Sequence, residues 1–328
     1  MECAVVTVSL VVPTYKRSRV VVRCLDSVQH QTLADFELLL VDNSPDPELR
    51  ALVDDFNQTA RHKARYVAEP RLGLHNARHA GARAATGDVL VFTDDDAGFD
   101  PAWLAAYARC FGAHPEMAAA GGPIRPAWES PPPDWLIAFM RADPTMFPVL
   151  SLLDLSREFQ LRRDGIFFGV NMAIRRDALF EAGGFNPEIF GDRWLGDGET
   201  GLNRKLWARG QMIGYVPDAL VYHYVPPERM TVNYMRKRQA SDGACDMYAR
   251  FHDKMPALPG LMRAALAIVG ESARDWSAEP LFRGRTDPRA LRVQMRAARA
   301  RARFQYVARL MVNPGLRVLV TQRDWLTR

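Results

Sequence analysis

Within its first hundred positions the chain alternates short apolar runs with stretches of helical spacing, and this alternation limits what it can fold into more than anything else. Residues 5–12 (VVTVSLVV) and 37–41 (ELLLV) are β-branched and aliphatic almost throughout. Residues 64–68 form a shorter run, and 89–93 (VLVFT) another. Strands covered on both faces read as such continuous apolar segments. Between them, Val21, Leu25 and Val28 share one helical face, and 47–56 and 73–85 have helical character. The order β-α-β-α-β-α-β predicts a mostly parallel sheet with right-handed crossovers and helices on both faces. Pro13, which cannot donate to a ladder, is expected to end the first strand, with Ser18 able to cap the helix that follows.

The last of these runs stops in Asp94-Asp95-Asp96. Open α/β sheets bind ligands at the carboxyl ends of their strands. Three adjacent carboxylates repel one another unless a cation lies between them, and a divalent ion would serve. A solvated acidic turn is the alternative. No G-x-G-x-x-G or G-x-x-x-x-G-K-[ST] follows the first strand, so neither a dinucleotide fingerprint nor a P-loop is indicated. The first turn carries Pro13-Thr14-Tyr15-Lys16-Arg17 instead. Tyr15 can stack on a base, amides around Thr14 can meet its edge, and Asp42 can accept its N–H. Packing for Tyr15 and turn formation for Asp42 are equally open.

Charge and length narrow the class without choosing the ligand. A net charge of +5 suits a phosphorylated ligand, an anionic membrane or nucleic acid. The 328 residues, 48% hydrophobic and 25% charged, fit one large α/β domain with an appendage. We expect a catalytic domain over 1–250 and a helical extension over 251–328. Cys3, Cys24, Cys110 and Cys245 show no C-x-x-C spacing, so neither a zinc site nor a disulfide framework is expected, and a reducing compartment is. Residues 4–13 read as a buried strand rather than a signal peptide, and no run is long enough for a spanning helix. A cytoplasmic location follows as the expectation.

Val-Val-Pro-Thr-Tyr-Lys-Arg, Leu-Leu-Val-Asp-Asn-Ser, Ala-Arg-His-Ala-Gly with Thr-Gly-Asp, and Phe-Thr-Asp-Asp-Asp-Ala occur in this order. Together they resemble the successive signatures of family 2 glycosyltransferases with the GT-A fold, a Rossmann-like sheet architecture, over residues 5–224. The resemblance implies transfer of a sugar from a nucleotide-diphosphate sugar, most often UDP-linked, to a hydroxyl acceptor with inversion. It implies a nucleotide site of Pro13, Thr14, Tyr15, Asp42 and Arg78. Asp94 would face the ribose, Asp95 would support it, and Asp96 would ligate Mn2+ or Mg2+. The position after Ala-Arg, often Asn in the family, is His79, to which no role is given.

Further along, residues 125–163 are Pro-rich with scattered aromatics and read as a long irregular segment, a sugar-facing loop or a cover over the sheet edge. Residues 165–174 (GIFFGVNMAI) resume strand character before Gly183-Gly184-Phe185. This resembles the family's acceptor-side unit, with Asn171 as its sugar-reaching polar residue and Trp194 nearby. The family's Glu-Asp pair, whose Asp is the base, falls on Gly198-Glu199 here. Glu199 would be the base and Asp197 its rival. His223 stands where some members complete the metal site. Arg236 and Arg238 can clamp a departing diphosphate or form a solvated basic face.

The tail has no acid between Pro288 and Arg323, while Arg289, Arg292, Arg296, Arg299 and Arg303 recur at helical spacing. Such a helix can lie on an anionic membrane, at its inner face beside a lipid-linked acceptor, or pack on the catalytic domain with its arginines solvated. Nucleic acid is not expected as a partner, since no aromatic-interleaved basic module appears. The expectation is therefore a metal-dependent inverting glycosyltransferase acting in glycan, polysaccharide or glycolipid synthesis. The alternative, prompted by the missing half of the Glu-Asp pair, is a catalytically impaired sugar-nucleotide-binding scaffold.

Overall fold

A computed structural model describes residues 5–190, 193–194 and 196–326. The chain runs β1 (Val8–Thr14), α1 (Ser18–Gln29), β2 (Glu37–Asp42), α2 (Pro47–Thr59), β3 (Ala64–Ala68), α3 (Leu74–Ala84) and β4 (Val89–Phe92). Then come β5 (Ala97–Phe99), α4 (Trp103–Ala113), β6 (Met117–Gly121), β7 (Ile124–Trp128), α5 (Asp134–Ala142), β8 (Gln160–Arg162), β9 (Met172–Arg175) and α6 (Arg176–Glu181). The remainder is β10 (Ile189–Phe190), β11 (Arg193–Trp194), α7 (Gly198–Ala208), β12 (Met212–Tyr215), β13 (Val221–Val225), α8 (Val232–His252), α9 (Leu258–Phe282), α10 (Pro288–Val312) and α11 (Pro314–Val320).

Among the described residues the main sheet has the order β3-β2-β1-β4-β9-β6-β12-β8. Pairing is parallel from β3 through β4 and between β6 and β12, with β9 and β8 antiparallel to their neighbours. Alternation along the strands divides the core in two. Leu10, Val12, Leu38 and Leu40 point to one layer, where α1 and α4 pack; Val11, Leu39 and Val41 point to the other, under α3, α6 and α7. This is the mostly parallel α/β sheet with helices on both faces that the alternation predicts.

Three expectations need correction. β1 does not end at Pro13 but continues to Thr14, with Pro13 opposite Val41. Val11 turns its backbone towards β4 and Thr14 towards β2. Pro13 therefore faces the β4 side, where pairing has already stopped at Phe92, and no donor is missed. Ser18 is the first helical residue rather than a side-chain cap. Within 165–174 the strand begins only at Met172, and the loop before it brings Gly169 against Arg78.

Residues 125–163 are less irregular than their composition implies. β7, α5, a 3-10 turn over Pro144–Leu150 and β8 lie within them, and Leu136, Phe139 and Met140 of α5 enter the core. β7 joins β13 and β5 in a small second sheet.

Helix α8 runs across residue 250, so the expected boundary falls inside one helix. Its second half joins α9, α10 and α11 around Tyr248, Leu261, Val307 and Leu310. Leu291 and Met295 of α10 enter the main core instead. The arginine stripe of α10 is held by acids of the same chain. Arg299 makes a two-pronged pair with Asp246 at 2.8 and 2.8 Å, and Arg303 joins the same carboxylate at 2.7 Å. Arg296 meets Asp275 at 3.0 Å and Arg292 meets Asp143 at 3.5 Å. The acids absent from the helix itself come from α8, α9 and the end of α5, so four of the five arginines of the stripe pair within the chain. No described helix is long and apolar enough to cross a membrane. Cys24 and Cys110 are free thiols, the Cys245 thiol donates to the Gly196 carbonyl at 3.1 Å, and Cys3 lies outside the described residues.

Candidate active site

The three carboxylates after β4 diverge. Asp95 turns inward, 5% exposed, and accepts from the Thr14 hydroxyl at 2.7 Å and from Arg17 Nη1 at 2.9 Å. Burial pushes its pKa up, against the pull of Thr14 and Arg17. It ties the triple-Asp turn to the end of β1. Thr14 is accordingly occupied by Asp95, whereas Tyr15 is 44% exposed and open to a ligand.

Asp96 meets His223 through strand register. β5 pairs antiparallel with β13 so that Ala97 faces His223, which brings the neighbouring Asp96 carboxylate to 3.7 Å from His223 Nε2. Arg229, in the turn after β13, lies between them, donating to Asp96 Oδ2 and to His223 Nε2, both at 2.7 Å. Arg17 Nη1 adds a longer contact to Asp96 at 3.3 Å.

A guanidinium can only donate, so His223 Nε2 is an acceptor, and its Nδ1–H donates to the Leu150 carbonyl at 2.9 Å. Burial, with Arg229 adding to it, lowers the histidine's pKa against the pull of Asp96 and keeps the ring neutral. A neutral imidazole with its second nitrogen fixed by a carbonyl is the state a metal-binding histidine requires. The residues therefore fit a divalent ion: one carboxylate and one oriented imidazole lone pair already converge on a cation, here the guanidinium. Among the described residues no three His, Cys, Asp or Glu side chains converge on one point.

Asp94 points the other way, to Arg78. That guanidinium is buried on α3, with Nη2 at 3.3 Å from Asp94 and Nη1 at 3.4 Å from Glu199. It lies 5.2 Å over the Phe185 ring. Gly169 makes room for it, since a Cβ there would lie 2.1 Å from Arg78 Nη2. Desolvation raises Asp94, with Asp96 and Glu199 adding to the rise and Arg78 opposing it.

Glu199 sits in the first turn of α7. Burial alone would raise its pKa; Arg78, its own N–H, the N–H of Gly169 and a hydrogen bond with Glu188 outweigh that and hold it below the ordinary carboxylate value. Asp197 faces elsewhere. It accepts from Asn186 at 3.1 Å, lines a cavity of about 410 Å3 with Arg204 and Lys205, and burial pushes its pKa up to about 6. Geometry separates the two candidates: Glu199 shares a guanidinium with Asp94, and Asp197 does not.

Several expected ligand contacts are taken up within the chain. All four lone-pair positions of Asp42 are engaged, by the Ser44 and Asp46 N–H groups, the Ser44 hydroxyl and Tyr66. The structure gives it a turn-building role. Asn171 is fully buried; its Oδ1 accepts from Trp103 and Tyr107, and its Nδ2 donates to the carbonyls of Pro123 and Ala219. The expected sugar contact is corrected accordingly, because no polar atom of that side chain is left for a ligand. Pro13 is a buried strand residue. Arg236 pairs with Glu279 of α9 at 3.3 Å, while Arg238 faces Glu188 and Glu199. Trp194 belongs to β11, and its side chain lies outside the described residues. His79 Nε2 accepts from the Phe185 N–H at 2.9 Å, a structural contact that positions the phenyl ring under Arg78.

Sequence reasoning missed Arg229, Glu188 and Gly169, which no motif marks. Arg17 was visible only as part of the first-turn signature.

A family model described as glycosyl transferase family 2 matches residues 9–182. A glucosyl-dolichyl phosphate glucuronosyltransferase of Haloferax volcanii is 28% identical over 223 residues, 66% of this chain and 68% of that protein. The succinoglycan biosynthesis protein ExoM of Rhizobium meliloti is 27% identical over 246 residues, 70% of this chain and 71% of its own. Among solved structures, a mannosyltransferase from Pyrobaculum calidifontis in complex with GDP-Man and Mn2+ superposes with a TM-score of 0.54 at 21% identity, covering 99% of this chain and 86% of that one.

Proposed function

The chain belongs to glycosyl transferase family 2, and from that premise we propose that it moves a sugar from a nucleotide-diphosphate donor, UDP-linked by preference, to a hydroxyl of a glycan or lipid-linked acceptor, with inversion. The observation that carries this reading is the buried Arg78 guanidinium. It joins Asp94, at the carboxyl end of β4, to Glu199, so the nucleotide side and the base share one fixed cation.

In the proposed reaction the Glu199 carboxylate takes the proton of the acceptor hydroxyl while that oxygen attacks the anomeric carbon. The bond from that carbon to the diphosphate breaks, and the nucleoside diphosphate leaves with the electron pair. A single displacement of this kind inverts the anomeric centre. Arg78 keeps Glu199 ionised at neutral pH, the condition for a general base, which typically contributes ~10²–10⁴-fold. Asp96 and His223 would hold a divalent cation, which when bound supplies Lewis-acid stabilisation of the leaving diphosphate. Tyr15, exposed at the end of β1, would stack on the base. Acceptor chemistry is supported by the names of the relatives, one joined to a glucosyl-dolichyl phosphate and one to succinoglycan synthesis.

The test is release of nucleoside diphosphate from a panel of UDP-glucose, UDP-galactose, UDP-glucuronic acid and GDP-mannose, with Mn2+ or Mg2+ and with chelator. Metal-dependent release from one donor, lost in Asp96→Ala and in Glu199→Gln, is expected. Donor binding without any release, even with lipid-linked glycan acceptors added, would point instead to a sugar-nucleotide-binding scaffold.

A further inference from the structure

We propose that Glu188 is the missing partner of Glu199, a positioning residue whose carboxyl reaches the base from a separate loop and occupies the space left by the absent side chain of Gly198. The inference rests on Glu199 being the base. Helix α7 opens with Gly198, whose φ is +47°. A Cβ built on it would lie 2.4 Å from Glu188 Oε1, 2.8 Å from its Cγ and 3.0 Å from its Cδ. The volume into which a side chain at 198 would project is thus filled by the carboxyl of residue 188, and that carboxyl hydrogen-bonds to Glu199.

The loop that carries Glu188 is fixed to the start of α7. Gly196 N–H donates to the Glu188 carbonyl at 3.2 Å, and a Cβ at Gly196 would lie 1.9 Å from the Pro187 carbonyl oxygen. Two glycines therefore allow the approach, Gly196 for the backbone and Gly198 for the carboxyl. A sequence that dropped the acid at 198 without replacing it would have no reason to keep this space for another acid.

The groups facing Glu188 come from four elements: Glu199 on α7, Arg78 on α3, Arg238 on α8 and Asp94 after β4. Burial is the largest influence on its protonation, Glu199 and Asp94 act in the same direction, and the two arginines oppose them. The balance pushes Glu188 up to about 8. Two touching carboxyls cannot both ionise cheaply, so the pair holds one proton at neutral pH. It resides on Glu188, which donates it in a hydrogen bond to the Glu199 carboxylate. The bond fixes the orientation of the base while Arg78 keeps it charged.

The test combines kinetics on the donor panel with a measurement that needs no turnover. Glu188→Ala should lower kcat by up to roughly 100-fold, the loss that misplacing a reacting group by an ångström brings, with donor KM little changed. Glu188→Gln, whose amide can still donate to Glu199, should recover most of that loss and abolish the alkaline inflection near pH 8. In the metal-free and donor-free protein labelled with 13C at glutamate carboxyls, one resonance should titrate near pH 8, disappear in Glu188→Gln and shift to lower pH in Glu199→Gln. A Glu188→Ala variant with wild-type kcat and pH profile, or no glutamate titrating above pH 7, overturns the inference while an inactive Glu199→Gln leaves the base in place. A fully active Glu199→Gln overturns the base itself, and this inference with it.

Discussion

Replacing Gly169 by alanine adds one methyl at the point where Arg78 passes to its two carboxylates. Gly169 has no left-handed φ, so the alanine backbone is unstrained. The methyl would lie 2.1 Å from Nη2 and 2.9 Å from Cζ of Arg78. What it displaces is the end of a flexible side chain, so the guanidinium gives way and the cost appears in its ion pairs. At 3.4 Å and an effective dielectric near 20, the Arg78–Glu199 attraction is about 5 kcal/mol gross. Retreat by an ångström removes roughly 1 kcal/mol of that, and the pKa of Glu199 rises with the loss. Overpacking typically costs about 1–3 kcal/mol, and the stiffer unfolded chain returns about 0.4–1. A net loss of roughly 1–2 kcal/mol at pH 7 is expected. The sign with pH follows from the depressed Glu199: its stabilisation is present above the ordinary carboxylate value of 4.5 and is lost as pH falls through the lower folded value. The wild-type advantage in urea midpoint should therefore be largest near neutrality and shrink in acid, and the acid limb of kcat/KM should move to higher pH. Wild-type stability at pH 7 with an unmoved acid limb would refute the placement of Arg78 against Gly169.

Two other perturbations separate structural from ligand roles. Asn171→Ala strands the Trp103 and Tyr107 donors and two carbonyls in the core and should cost at least about 3 kcal/mol in urea unfolding; a stable variant with altered acceptor preference would return Asn171 to the acceptor side. Arg229→Met removes the cation that Asp96 and His223 now share, so Mn2+ binding without donor, followed by electron paramagnetic resonance, should tighten about 5-fold for a pair worth about 1 kcal/mol. Unchanged or weaker Mn2+ binding would show that the guanidinium does not compete for those ligands.

The parallel sheet was legible because buried strands write themselves as apolar runs, and the turns that follow β1, β2 and β4 because their motifs lie next to those runs in sequence. Asp96 and His223 were legible as residues, but their meeting depends on the antiparallel register of β5 and β13, which residue type does not encode. Asp42 and Asn171 show the opposite case. A polar residue at the end of a strand looks available until its hydrogen bonds are counted, and both are fully engaged inside the chain. The arginine stripe of α10 left two readings open for a related reason: periodicity identifies a face but not what covers it, and here acids on α8 and α9 and beside α5 pair with it.

The carboxylates of the site fall into two groups, and each is balanced by arginines that sequence order does not pair with them. Asp95 and Asp96 are matched by Arg17 and Arg229; Asp94, Glu188 and Glu199 are matched by Arg78 and Arg238. The two groups meet at the turn after β4, where adjacent residues point in opposite directions. Binding a metal and a diphosphate at the first group would alter the charge near Asp94 and hence the field felt by Arg78. Because Arg78 holds Glu199 as well, the proposed roles imply that protonation of Glu199 responds to occupancy of the nucleotide side through one buried guanidinium. A site built this way needs no moving part to connect donor binding with the proton acceptor, only a cation wedged between them by the absence of a methyl group at Gly169.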